Sequence, residues 1–317
     1  MDSELITKIL DEYPYPVTVE VVRLNTEEFR VPGFARLQKI FDVTESITHF
    51  LSLISISDLM EKCMSKKFDI TSGYRSNFEK NFTRPTMGTW AELLRETIKV
   101  FRVNQEPMFI EELSDFYFIN KSDPSPVQEA IDGIIAMRNS EVHASKQFTP
   151  QETKDLCSKA DKMLDLILDR MAFLTKYRFL HVNRVTVKYH RWSDPEYEVD
   201  FSRIKGYNPD IFGLYGMKRK SPEPFHTPAL IIDKEGSREY LNLEPLIILS
   251  DEGEGRVFDI FMYLGWDVGK KQCVYKPLYN GGSFNLYDTK LDHLLPTAIY
   301  TIFKHFCKPE EDRKSVV

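Results

Sequence analysis

Pro124-Ser125-Pro126-Val127-Gln128-Glu129-Ala130-Ile131-Asp132-Gly133-Ile134-Ile135-Ala136-Met137-Arg138-Asn139-Ser140-Glu141-Val142-His143 reads as one helix, and Thr149-Pro150-Gln151-Glu152 opens another close behind it. Ser125 stands at the N-cap position and Pro126 in the first turn, where a missing N–H costs nothing. Val127, Ile131, Ile134 and Ile135 recur at helical spacing and form one apolar stripe. Thr149 and Glu152 have the spacing of a capping box, in which each side chain serves the other residue's backbone N–H. From there Leu156, Ala160, Met163, Leu164, Ile167, Leu168 and Met171 carry a second stripe to about Tyr177. Two long amphipathic helices joined by a short link pack as antiparallel neighbours, so this part of the chain is expected to be a helical bundle. One turn further, the first stripe lands on Arg138 and then on Val142. A guanidinium in an aliphatic seam is costly unless it is paired or faces a polar cleft, so Arg138 is the first functional candidate. Asn139 and His143 are four apart and share a face, whereas Arg138 is rotated away from His143. The two converge on one substrate only if the helix ends there or a second copy contributes.

Working outward, Phe34, Leu37, Ile40, Phe41, Ile47, Phe50, Leu51, Ile54 and Leu59 predict a long helix from Pro32-Gly33 to about Cys63. Lys66 to Arg84 reads as a polar stretch. Thr86 or Thr89 caps a helix with Trp90, Leu93, Leu94, Ile98 and Phe101 on its apolar face, and Glu111 to Ile119 is a shorter one. From Val182 the period changes to two. Val185, Val187 and Tyr189 alternate with polar residues, as do Tyr197, Val199 and Phe201. Ala229–Ile232, Leu246–Leu249, Val257–Tyr263, Val274–Leu278 and Phe284–Tyr287 are further strands, with turn signals at Gly253–Gly255 and Asn280-Gly281-Gly282. Asp292 to Phe306 reads as a closing helix with Pro296 in its first turn. The expected class is α+β, with a helical domain over residues 1–181 and a β-rich domain over 182–317.

The 317 residues carry a net charge of -6, so no global basic field advertises nucleic acid, although a local groove for a few phosphates stays open. Cys63, Cys157, Cys273 and Cys307 are scattered, with no paired spacing for zinc and no disulfide framework, as in a reducing compartment. Neither a metal nor another cofactor is expected. The first twelve residues lack the basic start and apolar core of a signal peptide. No apolar run reaches a bilayer's thickness; Ile47–Met60, the nearest, contains His49, Ser52, Ser55, Ser57 and Asp58. A cytoplasmic protein without a membrane partner is expected.

Arg138, Asn139 and His143, at the end of an apolar helix with a long helix behind, resemble the R-N-x-x-x-H signature of the HEPN superfamily, helical-bundle proteins many of which are metal-independent ribonucleases. Arg184 to His190 and Arg219 to His226 have similar spacing, but the first lies in a strand-like run and the second crosses Pro222 and Pro224. The resemblance implies RNA as substrate, with Arg138, Asn139 and His143 as catalytic residues. Two copies of the motif would meet across a homodimer. His143 would act as general acid/base, Arg138 as the clamp on the transition-state phosphate, and Asn139 as an orienting group. The phrase Pro85-Thr86-Met87-Gly88-Thr89-Trp90 is similar to one found in HEPN modules of bacterial conflict proteins. The C-terminal half resembles β-rich modules appended to helical domains in bacterial defence proteins. Together these imply a toxin or antiviral (abortive-infection) effector whose β-rich half senses a regulatory protein or small-molecule trigger.

Lys218, Arg219 and Lys220 follow a glycine-containing stretch that reads as a basic turn; they are candidates for RNA phosphates, though a solvated charge run has the same pattern. The competing functional expectation is a non-catalytic dimerisation or interaction module, with a partner subunit of a nucleotidyltransferase as a third. An enzyme exposes Arg138 and His143 in one groove, whereas a scaffold buries them in separate hydrogen bonds.

Overall fold

The computed structural model describes residues 3–65, 68, 70–120, 123–143, 148–207, 216–221, 229–237, 239–250, 259–267, 272–278 and 284–285; for 141–143, 216, 250, 272 and 284–285 it describes the backbone alone. Among these residues the helices are α1 (Ser3–Glu12), α2 (Tyr15–Leu24), α3 (Phe34–Ser65), α4 (Ser72–Thr83), α5 (Met87–Val103), α6 (Glu112–Tyr117), α7 (Pro126–His143) and α8 (Pro150–Arg170). The strands are β1 (Tyr177–Lys188), β2 (Glu196–Arg203), β3 (Gly216–Ser221), β4 (Ala229–Lys234), β5 (Tyr240–Asn242), β6 (Ile247–Ser250), β7 (Asp259–Asp267), β8 (Gln272–Pro277) and β9 (Phe284–Asn285). The class is α+β. All strand pairs are antiparallel, in one sheet ordered β3-β2-β1-β4-β5 and a second ordered β6-β7-β8-β9.

α3 is the axle. Its 32 residues span about 48 Å at 1.5 Å per residue. Residues on every side of it are buried from Leu37 to Leu59, as in a helix surrounded by others. Helices α2, α5, α7 and α8 all pack on it. The buried hydroxyls of Thr44, Thr48 and Ser52 donate to its own carbonyls one turn back, and Ser52 also lies 2.7 Å from the carbonyl of Trp90. At its start Arg36 takes both carboxylate oxygens of Asp161 on α8, at 2.6 to 3.0 Å, and donates to the carbonyl of Phe29.

One continuous apolar core runs from the helices into both sheets. Phe50 meets Phe179 edge to face, and Phe82 stacks on Tyr263 at 4.5 Å. The helical signal that runs to Tyr177 in the sequence ends earlier, at Arg170. A 3-10 stretch, Met171–Lys176, follows, and β1 begins at Tyr177. The polar stretch before Arg84 contains α4, capped by Thr71 and buried through Tyr74, Phe78, Asn81 and Phe82. The run Gly216–Ser221 is strand β3 rather than a turn, because it completes a ladder with β2. The closing helix expected at 292–306 and the glycine turns at 253–255 and 280–282 lie outside the described residues.

The five-stranded sheet is curled. Arg219 on β3 comes within 3.4 Å of Asp233 on β4, although β2 and β1 lie between. Arg178 on β1 donates to both oxygens of Asp233 and touches the sulfur of Met217 on β3. Flat strands 4.8 Å apart would put β3 and β4 about 14 Å from each other, beyond an arginine's reach. Inside the curl lies a second small core of Leu180, Val182, Val199, Phe201, Ala229 and Ile231.

Candidate functional site

Ser125 caps α7 as its sequence demands: its hydroxyl accepts the N–H of Gln128 at 3.1 Å and donates to the carbonyl of Phe116. Val127, Ala130, Ile131 and Ile134 are buried on the inner side of the helix. At Gly133 a Cβ would stand 2.9 Å from the methyl of Met163, the flexible end of a side chain on α8. The seam then reaches Arg138, whose side chain keeps 36% of its surface exposed and whose Nη2 lies 3.2 Å from Oε2 of Glu45 on α3. Position 138 is therefore the point where the apolar seam opens to solvent, and the guanidinium is held there from across the bundle. Asn139 is exposed beside it. The described backbone of α7 runs to His143; the side chains of Glu141 and His143 lie outside the described residues. The local alternative for Arg138, an i,i+3 pair with Glu141, falls in the same region. The partner that the structure gives Arg138 belongs to another helix.

The basic run on β3 divides by strand alternation. Arg219 points into the curl, where Asp233 is fully buried between it and Arg178. Lys218 and Lys220 point to the outer face, and β2 meets them with a column of acids. Across the sheet the rows read Arg184–Asp200–Lys218 and Thr186–Glu198–Lys220. Ion pairs join Arg184 and Lys218 to Asp200, Lys188 to Glu198 and Lys220 to Glu196. This is a cross-strand ladder in which alternate columns neutralise each other.

Arg219 and Lys220 also border a cleft of about 1360 Å³ between the end of α3, the Pro107–Phe109 loop and the curled sheet. Neither Lys218 nor any residue of the α7 motif lines it. Asp58, at its edge, is 3% exposed and accepts the backbone N–H of Phe109 at 2.6 Å. Burial pushes its carboxyl up to about 7, against the pull of that hydrogen bond and of Lys62. In the sequence Asp58 stands as one polar residue in an apolar run; its signal is that it is the one carboxylate between Ile47 and Met60. The two regions lie far apart on one scaffold, since Glu45 and Asp58 are about 20 Å apart along α3 and face nearly opposite ways. Among the described residues no three His, Cys, Asp or Glu side chains gather as a metal site, and no helix is long and apolar enough to cross a membrane.

Comparison with protein families, with characterised proteins and with solved structures gives no match.

Proposed function

We propose that the chain is an endoribonuclease of HEPN type, with Arg138, Asn139 and His143 as its catalytic residues. The observation that carries this reading is the position of Arg138: it breaks the apolar seam of α7, remains partly exposed and is steadied by the Glu45 carboxylate from α3. A guanidinium held at a fixed place yet open to solvent can take up a phosphate, because its fork offers more donors than one carboxylate occupies. In the proposed reaction the 2'-hydroxyl of RNA loses its proton and its oxygen attacks the adjacent phosphorus. The bond to the 5'-oxygen then breaks, and that oxygen receives a proton. His143 moves protons, Arg138 holds the charged phosphorane and Asn139 orients one or the other. One motif supplies one imidazole and the reaction benefits from two, so the working unit is a homodimer with a shared cleft. The β-rich half serves as sensor or target reader in a defence or toxin role, a reading that rests on resemblance alone.

A second reading takes support from the same ion pair. If Glu45 and Arg138 merely fasten α7 to α3, the helical half is a dimerisation or interaction module. Product chemistry separates the two. RNA cut by the purified protein in EDTA should carry 2',3'-cyclic phosphate and 5'-hydroxyl ends; 5'-phosphate ends would rule out attack by the 2'-hydroxyl.

A further inference from the structure

The described pairing of β1 with β4 runs from Tyr177 to Val182 and that with β2 on to Lys188, and residues 189–195 form the tip that joins β1 to β2. The tip carries two large rings in the open: Tyr189 is 79% exposed and Trp192 90%. Trp192 has φ +74°, the left-handed region that a bulky side chain rarely occupies. The guanidinium carbon of Arg191 stands 5.1 Å from the centre of the indole ring. From Val187 to Ser193 the sequence holds two permanent cations, Lys188 and Arg191, together with His190 and no acid.

We propose that this tip is a stacking site for the bases of single-stranded RNA, with Tyr189 and Trp192 as platforms and Arg191 meeting the adjoining phosphate. The proposal rests on the RNA reading above for the polymer it names. Every base has a flat π-face, and a ring flanked by a cation takes a nucleotide without reading its sequence. Protein contact is the less fitting use. A specific protein interface covers about 800 Å² on each side around a desolvated apolar centre. Here the two rings stand among exposed Lys188, His190, Arg191, Ser193 and Asp194. On the neighbouring sheet face the cations, Lys188 among them, are paired with Glu196, Glu198 and Asp200, whereas at the tip Arg191 stands beside open rings.

The test is binding of a fluorescent dodecamer of 2'-O-methyl uridine, which attack by the 2'-hydroxyl cannot cleave. Parent, Tyr189→Ala and Trp192→Gly proteins are compared, with melting temperatures in parallel. Each substitution should weaken binding roughly tenfold. Trp192→Gly should melt no lower than the parent, because glycine relieves the left-handed backbone. Loss of binding with the fold intact distinguishes a contact from a scaffold role. Equal affinity in all three proteins, or no binding by the parent, would overturn the proposal and return the rings to a protein contact. The outcome is separable from the nuclease reading. Ring-dependent binding by a protein that cuts no RNA removes that reading alone, whereas His143-dependent cutting with ring-independent binding removes this one alone.

Discussion

Nη2 of Arg138 stands 3.2 Å from Oε2 of Glu45, tying the last turns of α7 to the middle of α3. Both groups are partly exposed, so the pair contributes at most about 1 kcal/mol to stability. Its larger effect is to fix the guanidinium where the seam opens. Glu45→Gln should therefore shift urea unfolding by less than about 1 kcal/mol while lowering the rate of RNA cleavage severalfold with little change in KM. A large loss of stability with unaltered cleavage would make the pair a fastener only.

The Arg36–Asp161 fork is a different case, because it is largely buried and has two parallel hydrogen bonds. Asp161→Ala strands a guanidinium between α3 and α8 and should cost about 3 kcal/mol in urea unfolding. Replacing both residues by apolar ones of similar volume should recover much of that loss.

His49 and Asp58, on the same helix, give opposite pH dependences. His49 stacks on Trp90 at 4.2 Å with Nε2 2.6 Å from the carbonyl of Tyr263, and burial lowers its pKa to about 3. Below its ordinary 6.5 the unfolded chain takes up a proton that the native one refuses, so stability present above 6.5 is lost as pH falls toward 3. The slope approaches about 1.4 kcal/mol per pH unit. His181, lowered by burial to about 4, acts in the same direction. His49→Gln should flatten stability against pH between about 6 and 4 in urea titrations, whatever its cost at neutral pH.

Asp58 is raised from 3.8 to about 7, so its contribution is complete below 3.8 and is lost as pH rises through 7. Asp58→Asn keeps an acceptor for Phe109 N–H and removes the buried charge. Relative to the parent, the variant should be more stable at pH 8 than at pH 5; a constant difference would place the titration elsewhere.

Gly206 has φ +64°, and a Cβ there would stand 2.3 Å from the carbonyl oxygen of Leu10. Its N–H donates to Tyr13 and that of Tyr207 to Leu10, which docks α1 against the end of β2. Gly206→Ala should lower stability by more than about 1 kcal/mol, measured by thermal melting. In contrast, Gly133→Ala meets only the flexible end of Met163 and removes a mid-helix glycine, so its effect should be small.

Helices with one buried face and a side-chain cap were legible: α5, α7 and α8 begin where Thr86, Ser125 and Thr149 place them. The helix α2 was not. Tyr15, Val17, Val19 and Val21 alternate as in a strand, yet the segment is helical and buried on nearly every side, which erases the 3.6-residue period. In α4 only Tyr74, Phe78 and Phe82 mark the inner face, too sparse a stripe among polar residues. The strand β3 has no β-branched residue; it is defined by pairing with β2, and local propensity carries no record of that. Arg138 was visible as a break in a stripe. Its partner Glu45 lies 93 residues earlier, and only the fold brings them together.

The most direct measurement is cleavage of end-labelled RNA in EDTA by the parent, Arg138→Ala and strict His143→Ala proteins, each shown to be folded by circular dichroism. The proposed site requires cutting by the parent and a loss of at least about a hundredfold in both variants. Undiminished cutting by His143→Ala, or none by the parent on any RNA tried, would contradict it.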